Sequence, residues 1–289
     1  MINKNDETRE LEGQDSRMFP SAVIFSASSD IGNALAWRWI KQGFHVAGTY
    51  RTLSDHVTAL KSAGADLTGC DLVDPTEIDK VASRFSNIKF SRVVLAAGTQ
   101  EPIGLFADVN FDRWVESFEI NFLGQLRFLH SLLRNEGLRD SRVLFFAGGG
   151  TNNATQRYSA YTIAKIASIK IVELLATEYP RTSFSIIGPG WVKTKIHKAT
   201  LDEPLQAGQN FETTLEHFRT NDFFSMEELM ECIDWVFEES SDLVSGRNFS
   251  AVHDDWGSSS LRRALKSNPD LYKLRRFGNE KNFDAEGGN

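Results

Sequence analysis

The stretch that decides the fold lies near the start of the chain, where residues 22–32 read AVIF-SASSDIG. Four consecutive apolar residues suit a strand that is buried on both faces. The small residues that follow allow a close approach of backbone to ligand, and a helix beginning at Ile31 would add free N–H groups and the positive end of its dipole. This order of strand, small-residue turn and helix predicts a site for a pyrophosphate group.

The same alternation continues along the chain. Further apolar runs lie at residues 45–49, 92–96, 143–146 and 184–187. Helical periodicity is found at residues 31–42, 54–63, 75–85, 111–133 and 158–178. Crossovers of this length make neighbouring strands parallel. The pattern therefore predicts an α/β fold, a single-domain Rossmann-type doubly wound parallel sheet with helices on both faces.

Bulk composition argues against several function classes. The 289 residues are 41% hydrophobic and 25% charged, as in soluble globular proteins, and no apolar run approaches the roughly 18 to 20 residues of a membrane span. A net charge of -7 argues against nucleic acid as a partner. Cys70 and Cys232 lie far apart, which favours neither a disulfide framework nor a metal site and fits a reducing cytoplasm.

Three further motifs follow the opening turn. Residues 161–165 read YTIAK, which puts a phenol and an ammonium on one face of a helix. Asn121 lies on the preceding predicted helix, and residues 188–194 read GPGWVKT. With the opening turn, these motifs resemble the short-chain dehydrogenase/reductase family, which has Tyr-x-x-x-Lys, a helical Asn and Pro-Gly-x-Val-x-Thr. Order and spacing agree over about residues 21–252.

The resemblance implies a catalytic set of Tyr161, Lys165 and Asn121. Tyr161 would donate a proton in reduction and accept one in oxidation, while Asn121 would support a water-mediated proton path. A tyrosine pKa is ordinarily about 10, and Lys165 is expected to lower it. The cofactor-binding residues implied by the resemblance are Ser26, Ser28, Ser29, Ile31, Gly32, Arg51, Asp71, Leu72, Ala97, Gly98, Lys165, Pro189, Gly190, Val192 and Thr194.

The end of the second apolar run indicates which dinucleotide is bound. An acid there would bind the ribose 2′-hydroxyl of NAD, whereas an arginine would pair with the 2′-phosphate of NADP. Residues 49–51 read Thr-Tyr-Arg, without an acid. Arg51 therefore predicts NADP as cofactor, with NADPH preferred over NADH. The alternative is an ordinary surface arginine.

The chain departs from the family pattern at three positions. Ser26 and Asp30 replace two glycines of the opening turn. We expect Ser26 to be tolerated if its backbone angle is ordinary, and Asp30 to cap the helix. Gly148 stands where the family has the Ser that polarises the substrate oxygen. Thr151, Ser159 or a backbone N–H of the glycine run could replace that donor.

These features predict a domain organisation. A disordered polar leader at residues 1–19 would precede a dinucleotide-binding catalytic domain at 20–256, followed by a C-terminal helical extension and tail at 257–289. Residues 197–224, which we call the lid segment, interrupt the alternation and would fold over a substrate.

The sequence thus predicts a cytoplasmic, NADP(H)-dependent oxidoreductase that interconverts a carbonyl and an alcohol. The lid segment carries His197, Asp202, Glu203 and Gln206, which suggest a sugar or nucleotide-sugar as the small-molecule substrate. The alternative is a catalytically impaired dinucleotide-binding regulatory or scaffold protein. The resemblance also implies a homodimer or homotetramer built from helices 111–133 and 158–178, with no nucleic acid or membrane as partner and no metal.

Overall fold

The computed structural model describes residues 21–134 and 138–276. The strands are β1 (Ser21–Phe25), β2 (His45–Tyr50), β3 (Asp66–Gly69), β4 (Arg92–Leu95), β5 (Arg142–Phe146), β6 (Ser183–Gly188) and β7 (Arg247–Ser250). All pair in parallel, in the order β3-β2-β1-β4-β5-β6-β7. The predicted α/β class and doubly wound parallel sheet are confirmed.

Helices cover both faces of this sheet. They are α1 (Asp30–Lys41), α2 (Asp55–Ser62), α3 (Pro75–Phe85), α4 (Phe111–Phe118), α5 (Gly124–Arg134), α6 (Ser159–Glu178), α7 (Lys198–Asp202), α8 (Pro204–Ala207), α9 (Gln209–Thr220), α10 (Met226–Glu238), α11 (Ser241–Val244) and α12 (Ser259–Ser267). Alternate residues of β1 enter opposite cores. Ala22 and Ile24 pack in the core that contains residues of α1, α2, α10 and α12, whereas Val23 and Phe25 pack with residues of α3, α5 and α6.

The structure differs from the sequence prediction at the edges of the sheet. β3 and β7 are its two edge strands, and neither is a continuous apolar run. Buried and less buried residues alternate along both, because an edge strand is not covered on every side. The predicted helix 111–133 is also divided, since a π-helical turn at Glu119–Leu123 separates α4 from α5.

The lid segment, which interrupts the alternation in the sequence, is largely helical in the structure. It follows a 3-10 turn at Lys195–His197 and contains α7, α8 and α9. The predicted leader at 1–19 lies outside the described residues, as do residues 277–289 of the tail. Within the described ranges no helix is both long and apolar enough to cross a bilayer.

Candidate active site

A cleft of about 300 Å³ opens at the carboxyl ends of the central strands. Eight of the predicted cofactor residues line it: Ser26, Ser28, Ser29, Arg51, Asp71, Leu72, Ala97 and Gly98. The predicted residues that do not line it are Ile31, Gly32, Lys165, Pro189, Gly190, Val192 and Thr194. Sequence reasoning missed Thr49, Cys70, Thr99, Glu101, Arg113, Glu116, Ser117, Ile120 and Lys195, which also line the cleft.

The turn after β1 is more strained than the sequence suggests. Ser26 has a φ of 72°, in the left-handed region that favours glycine, so the expectation of an ordinary backbone angle is wrong. Two bonds hold it there: its N–H donates to Thr49 Oγ1 at 2.9 Å, and its carbonyl accepts from the N–H of Ser29 at 3.0 Å. A side chain at Gly32 would begin 2.4 Å from the Ser26 carbonyl oxygen, so this glycine is needed for close packing.

Asp30 does not cap α1, contrary to the prediction. The cap is Ser29, whose Oγ accepts from the N–H of Gly32 at 3.0 Å. The Asp30 carboxylate instead accepts from the backbone N–H of Lys195 at 2.6 Å, and Lys195 Nζ donates to the Ser28 carbonyl at 2.6 Å. The turn after β1 is therefore tied to the segment after β6. An acid at a position that favours small residues could have signalled this partner in the sequence.

Arg51 lies at the end of β2 and is exposed at the rim of the cleft. Among the residues that the structure describes, it makes no hydrogen bond or ion pair. Asp71 shares the cleft, and its carboxylate accepts from the N–H of Val73 at 3.2 Å. An arginine without a carboxylate partner is free to bind an anion.

Tyr161 and Lys165 lie on α6 and face each other across one helical turn. Lys165 Nζ is 5.6 Å from the centre of the Tyr161 ring, and the lysine is only 5% exposed. Burial lowers the pKa of Lys165 to about 8 and raises the pKa of Tyr161 to about 12. The expectation that Lys165 lowers the pKa of Tyr161 is therefore not met by these two side chains alone, because burial is the cause of the shift and it raises the pKa.

Asn121 lies within the π-helical turn. Turns of this kind are frequently found at functional sites. Its Oδ1 accepts from the N–H of Thr99 at 3.1 Å, while its Nδ2 donates to the carbonyls of Thr99 and Ser117, each at 2.9 Å. Gln125 Nε2 donates to the Asn121 carbonyl at 2.7 Å. These bonds tie the π-helical turn to Thr99 in the loop after β4.

Gly98 joins the cleft to the catalytic residues. A Cβ atom at this glycine would lie 3.4 Å from Asn121 Oδ1 and 3.8 Å from Lys165 Nζ. The cleft therefore ends within van der Waals reach of two of the three predicted catalytic side chains, and the third, Tyr161, lies one helical turn from Lys165.

Gly148 lies against the side chain of Tyr161, the predicted proton donor. A Cβ atom there would be 2.4 Å from Tyr161 Oη and 2.7 Å from its Cζ, far too close for any side chain. At Gly149, in contrast, nothing lies within 4 Å of that point. The volume that a side chain at 148 would fill is thus taken by the Tyr161 hydroxyl. Of the predicted replacement donors, the Ser159 hydroxyl oxygen accepts from Trp114 Nε1 at 3.0 Å.

The lid segment covers Tyr161 with apolar groups. Tyr161, Ala199 and Phe211 pack against a cluster of Ile103, Tyr158 and Ala207. The polar side chains predicted to meet a substrate lie elsewhere. Asp202 pairs with Lys198 on the exposed surface, and Glu203 and Gln206 are exposed. His197 is buried, with Nε2 at 3.0 Å from the Val192 carbonyl oxygen.

The Pro-Gly-x-Val-x-Thr segment shapes the root of the lid segment. Gly190 has a φ of 74°, and a Cβ atom there would lie 2.3 Å from Val252. Val192 is buried and forms a parallel bridge with Phe224, and Thr194 precedes the 3-10 turn. Within the described residues no group of three or more His, Cys, Asp or Glu side chains is placed to hold a metal ion.

A second cavity, of about 470 Å³, is lined by residues of α11, β7 and α12 and by none of the predicted site residues. Its arginines already have partners. Arg247 donates to the carbonyls of Leu265 and Leu271, and Arg262 pairs with Glu239 at 2.5 Å. The chemistry therefore concentrates at the cleft and at Tyr161.

Comparisons with known proteins agree with this geometry. A family model described as short chain dehydrogenase matches residues 20–204. An uncharacterized oxidoreductase of Schizosaccharomyces pombe is 27% identical over 175 residues, which are 60% of this chain and 70% of the relative. An 11-beta-hydroxysteroid dehydrogenase A of Sesamum indicum is 26% identical over 187 residues, 60% of this chain and 53% of that relative. A short chain dehydrogenase/reductase structure from Saccharomyces cerevisiae superposes with a TM-score of 0.71 at 16% identity, covering 84% of this chain and 98% of that one, a likeness of fold.

Proposed function

This chain belongs to the short-chain dehydrogenase/reductase family of NAD(P)-dependent oxidoreductases that act on carbonyl and alcohol groups, and on that premise we propose that it uses NADP(H). The observation that carries the proposal is Arg51, a cation at the rim of the cleft with no carboxylate partner in the described residues. An arginine at this strand end suits a ribose 2′-phosphate, and the strand offers no acid to select the 2′-hydroxyl of NAD.

The residues around the cleft fit a dinucleotide. The start of α1 offers backbone N–H groups and the positive end of the helix dipole, beside the small residues Ser28 and Ser29. Asp71 and Leu72 would contact the adenine. At Gly98 the absence of a side chain leaves the cleft open toward Lys165. When bound, the nicotinamide supplies or accepts the hydride. Lys165 would hold the ribose next to it.

Tyr161 is the proposed proton donor for the carbonyl oxygen. With a pKa of about 12, its hydroxyl is protonated at neutral pH and available for reduction. Lys165, with a pKa of about 8, keeps its proton at neutral pH, and its positive charge would attract the phenolate that oxidation requires. Asn121, fixed at both amide atoms, would hold the water that connects this pair to solvent.

The surroundings of Tyr161 favour an apolar substrate within the carbonyl and alcohol class. Tyr161 packs against an apolar cluster that includes Ile103 and, from the lid segment, Ala207, with Ala199 and Phe211 packed against the same cluster. The side chains of these four residues offer no hydrogen bonds to hydroxyl groups. A sugar or nucleotide-sugar remains the competing proposal. It would need the lid segment to rearrange, because Asp202, Glu203 and Gln206 face solvent.

Cofactor titration combined with a substrate panel tests the proposal. Protein fluorescence is titrated with NADPH and NADH, and NADPH oxidation is then followed with apolar ketones and with ketoses and aldoses. We expect tighter binding of NADPH and faster turnover of the apolar ketones. Tighter binding of NADH would contradict the Arg51 argument. Binding without turnover across the panel would support the alternative, a regulatory or scaffold protein.

A homodimer or homotetramer built on α4, α5 and α6, which cover the predicted helices 111–133 and 158–178, is part of the proposal. The supporting observation is an aromatic cluster at the start of α4, in which Phe111 and Trp114 stack and Phe106 meets both rings edge-on. Phe106 is 61% and Phe111 is 59% exposed. Exposed apolar patches of this kind commonly mark protein interfaces. Light scattering after size exclusion should give a multiple of the chain mass, and Phe111→Ser should lower it. A cytoplasmic location stays a prediction.

A further inference from the structure

The cations of the cleft are not equally engaged. Arg51, Arg113 and Lys195 line it. Arg113 pairs with Glu116 at 2.9 Å and approaches Glu101 at 3.7 Å. Neither Arg51 nor Lys195 has a carboxylate within ion-pair distance in the described parts of the chain. Two unpaired cations in one cleft match a ligand that carries negative charge at two separate places, as a phosphorylated dinucleotide does.

Lys195 is held beside the turn where the diphosphate of a dinucleotide is expected. Its Nζ donates to the carbonyl of Ser28 at 2.6 Å, two residues before the first residue of α1. A neutral carbonyl is a weaker partner for an ammonium than a phosphate oxygen. The ammonium can therefore exchange this carbonyl for an anion bound at the same turn.

Asp30 fixes the backbone of that lysine. Its carboxylate accepts from the N–H of Lys195 at 2.6 Å and does not line the cleft. A carboxylate that pointed into the cleft would repel a diphosphate, but here it is turned toward the segment after β6. The acid that replaces a family glycine thus has a partner that explains its presence.

We propose that Lys195 binds the diphosphate of the dinucleotide and that Asp30 is the positioning residue that keeps Lys195 at the turn. The inference rests on the proposed dinucleotide binding, but not on the NADP preference, because the diphosphate is common to NADPH and NADH. It also links the lid segment to the cofactor, since Lys195 begins the 3-10 turn from which that segment continues.

Binding measurements on variants test this role. Lys195→Met should weaken NADPH and NADH by the same factor, about tenfold or more, because a charge-assisted hydrogen bond is lost. Lys195→Arg should retain most of the affinity. Lys198→Met is the matched control, since Lys198 pairs with Asp202 outside the cleft, and it should bind as the wild type does. Inorganic pyrophosphate should compete with NADPH on the wild type and compete less on Lys195→Met.

Asp30 is tested by a pair of variants. Asp30→Ala should weaken both dinucleotides, whereas Asp30→Asn, whose amide oxygen can still accept from the Lys195 N–H, should recover most of the affinity. Thermal unfolding of each variant identifies any loss of folded protein.

The outcomes separate this inference from the proposed function. If the wild type binds neither dinucleotide, both fail. If the wild type binds them and Lys195→Met binds equally well, or loses only NADPH, the Lys195 role is overturned and the proposed function stands. A lower melting temperature of Lys195→Met with unchanged affinity would make Lys195 a structural link only.

Discussion

The cleft and the pocket around Tyr161 share one edge of the sheet but are built in opposite ways. The cleft is open and polar, with Arg51 and Lys195 unpaired along it in the described structure. Tyr161 is covered by apolar residues of the lid segment. The departures that the sequence analysis predicts follow the same division. At the cleft, Asp30 adds a side chain that finds a new partner, whereas at the pocket Gly148 removes one. An altered motif is therefore best judged by what the changed residue touches.

The largest expected effect is a loss of turnover at the Tyr161 pocket, without any change in binding at the cleft. Tyr161→Phe removes the phenolic hydroxyl but retains the ring that packs against Ile103 and Ala207. We expect kcat to fall by about 10²- to 10⁴-fold, the usual contribution of a general acid, with unchanged NADPH affinity. Stopped-flow turnover and fluorescence titration measure the two quantities. Equal turnover by the variant would remove Tyr161 from the chemistry.

The second prediction concerns the charge buried in the pocket. Because burial lowers the pKa of Lys165 to about 8 from 10.5, the native protein holds fewer protons than the unfolded chain between these values. The free energy of unfolding is therefore highest, as far as this group is concerned, above about pH 10.5 and decreases as the pH falls through 8. The total decrease is on the order of 3 kcal/mol.

The variant Lys165→Met should therefore be more stable than the wild type near pH 7, by an advantage that shrinks as the pH rises to 10.5. Urea unfolding across this range measures the difference in free energy of unfolding. Lys198→Met, at an exposed position, provides the control. A constant difference for Lys165→Met would show that burial of the ammonium costs little.

A third prediction tests the replaced serine. Gly148→Ser introduces the residue that the resemblance predicts at this position, yet its Cβ atom would lie 2.4 Å from Tyr161 Oη. Displacing the phenol by about 1 Å should lower kcat by about 10²-fold. Gly149→Ser, where nothing lies within 4 Å, should change kcat little. A rise in kcat for Gly148→Ser would mean that Tyr161 moves readily and that the missing hydroxyl limits catalysis.

The smallest expected effect concerns the cleft alone. Arg51→Ala should weaken NADPH about tenfold and leave NADH unchanged, because only the 2′-phosphate loses a partner. Competition titration with both dinucleotides measures the ratio. An equal loss for both would mean that Arg51 acts on a part they share.

The sequence predicts those parts of the fold and site that depend on one local segment. The central strands are buried on both faces and so appear as apolar runs, whereas the edge strands β3 and β7 do not. Helical spacing places Tyr161 and Lys165 on one face of a helix, and the family resemblance supplies the roles expected of them. The contact of Lys195 with Ser28 joins residues 167 positions apart, and no local pattern indicates it. The left-handed angle of Ser26 likewise depends on Thr49 of a neighbouring strand.

A π-helical turn holds more residues than an α-helical turn, so Glu119–Leu123 behaves as an insertion inside an otherwise continuous helix. Removing one residue there would restore α-helical bonding and rotate one half of the helix against the other by about 100°. The Asn121 amide would then leave Thr99, and the rings of α4 would turn to another side. The number of residues in this helix therefore determines where Asn121 and the rings of α4 lie. Relatives that gain or lose residues should do so in other parts of the chain.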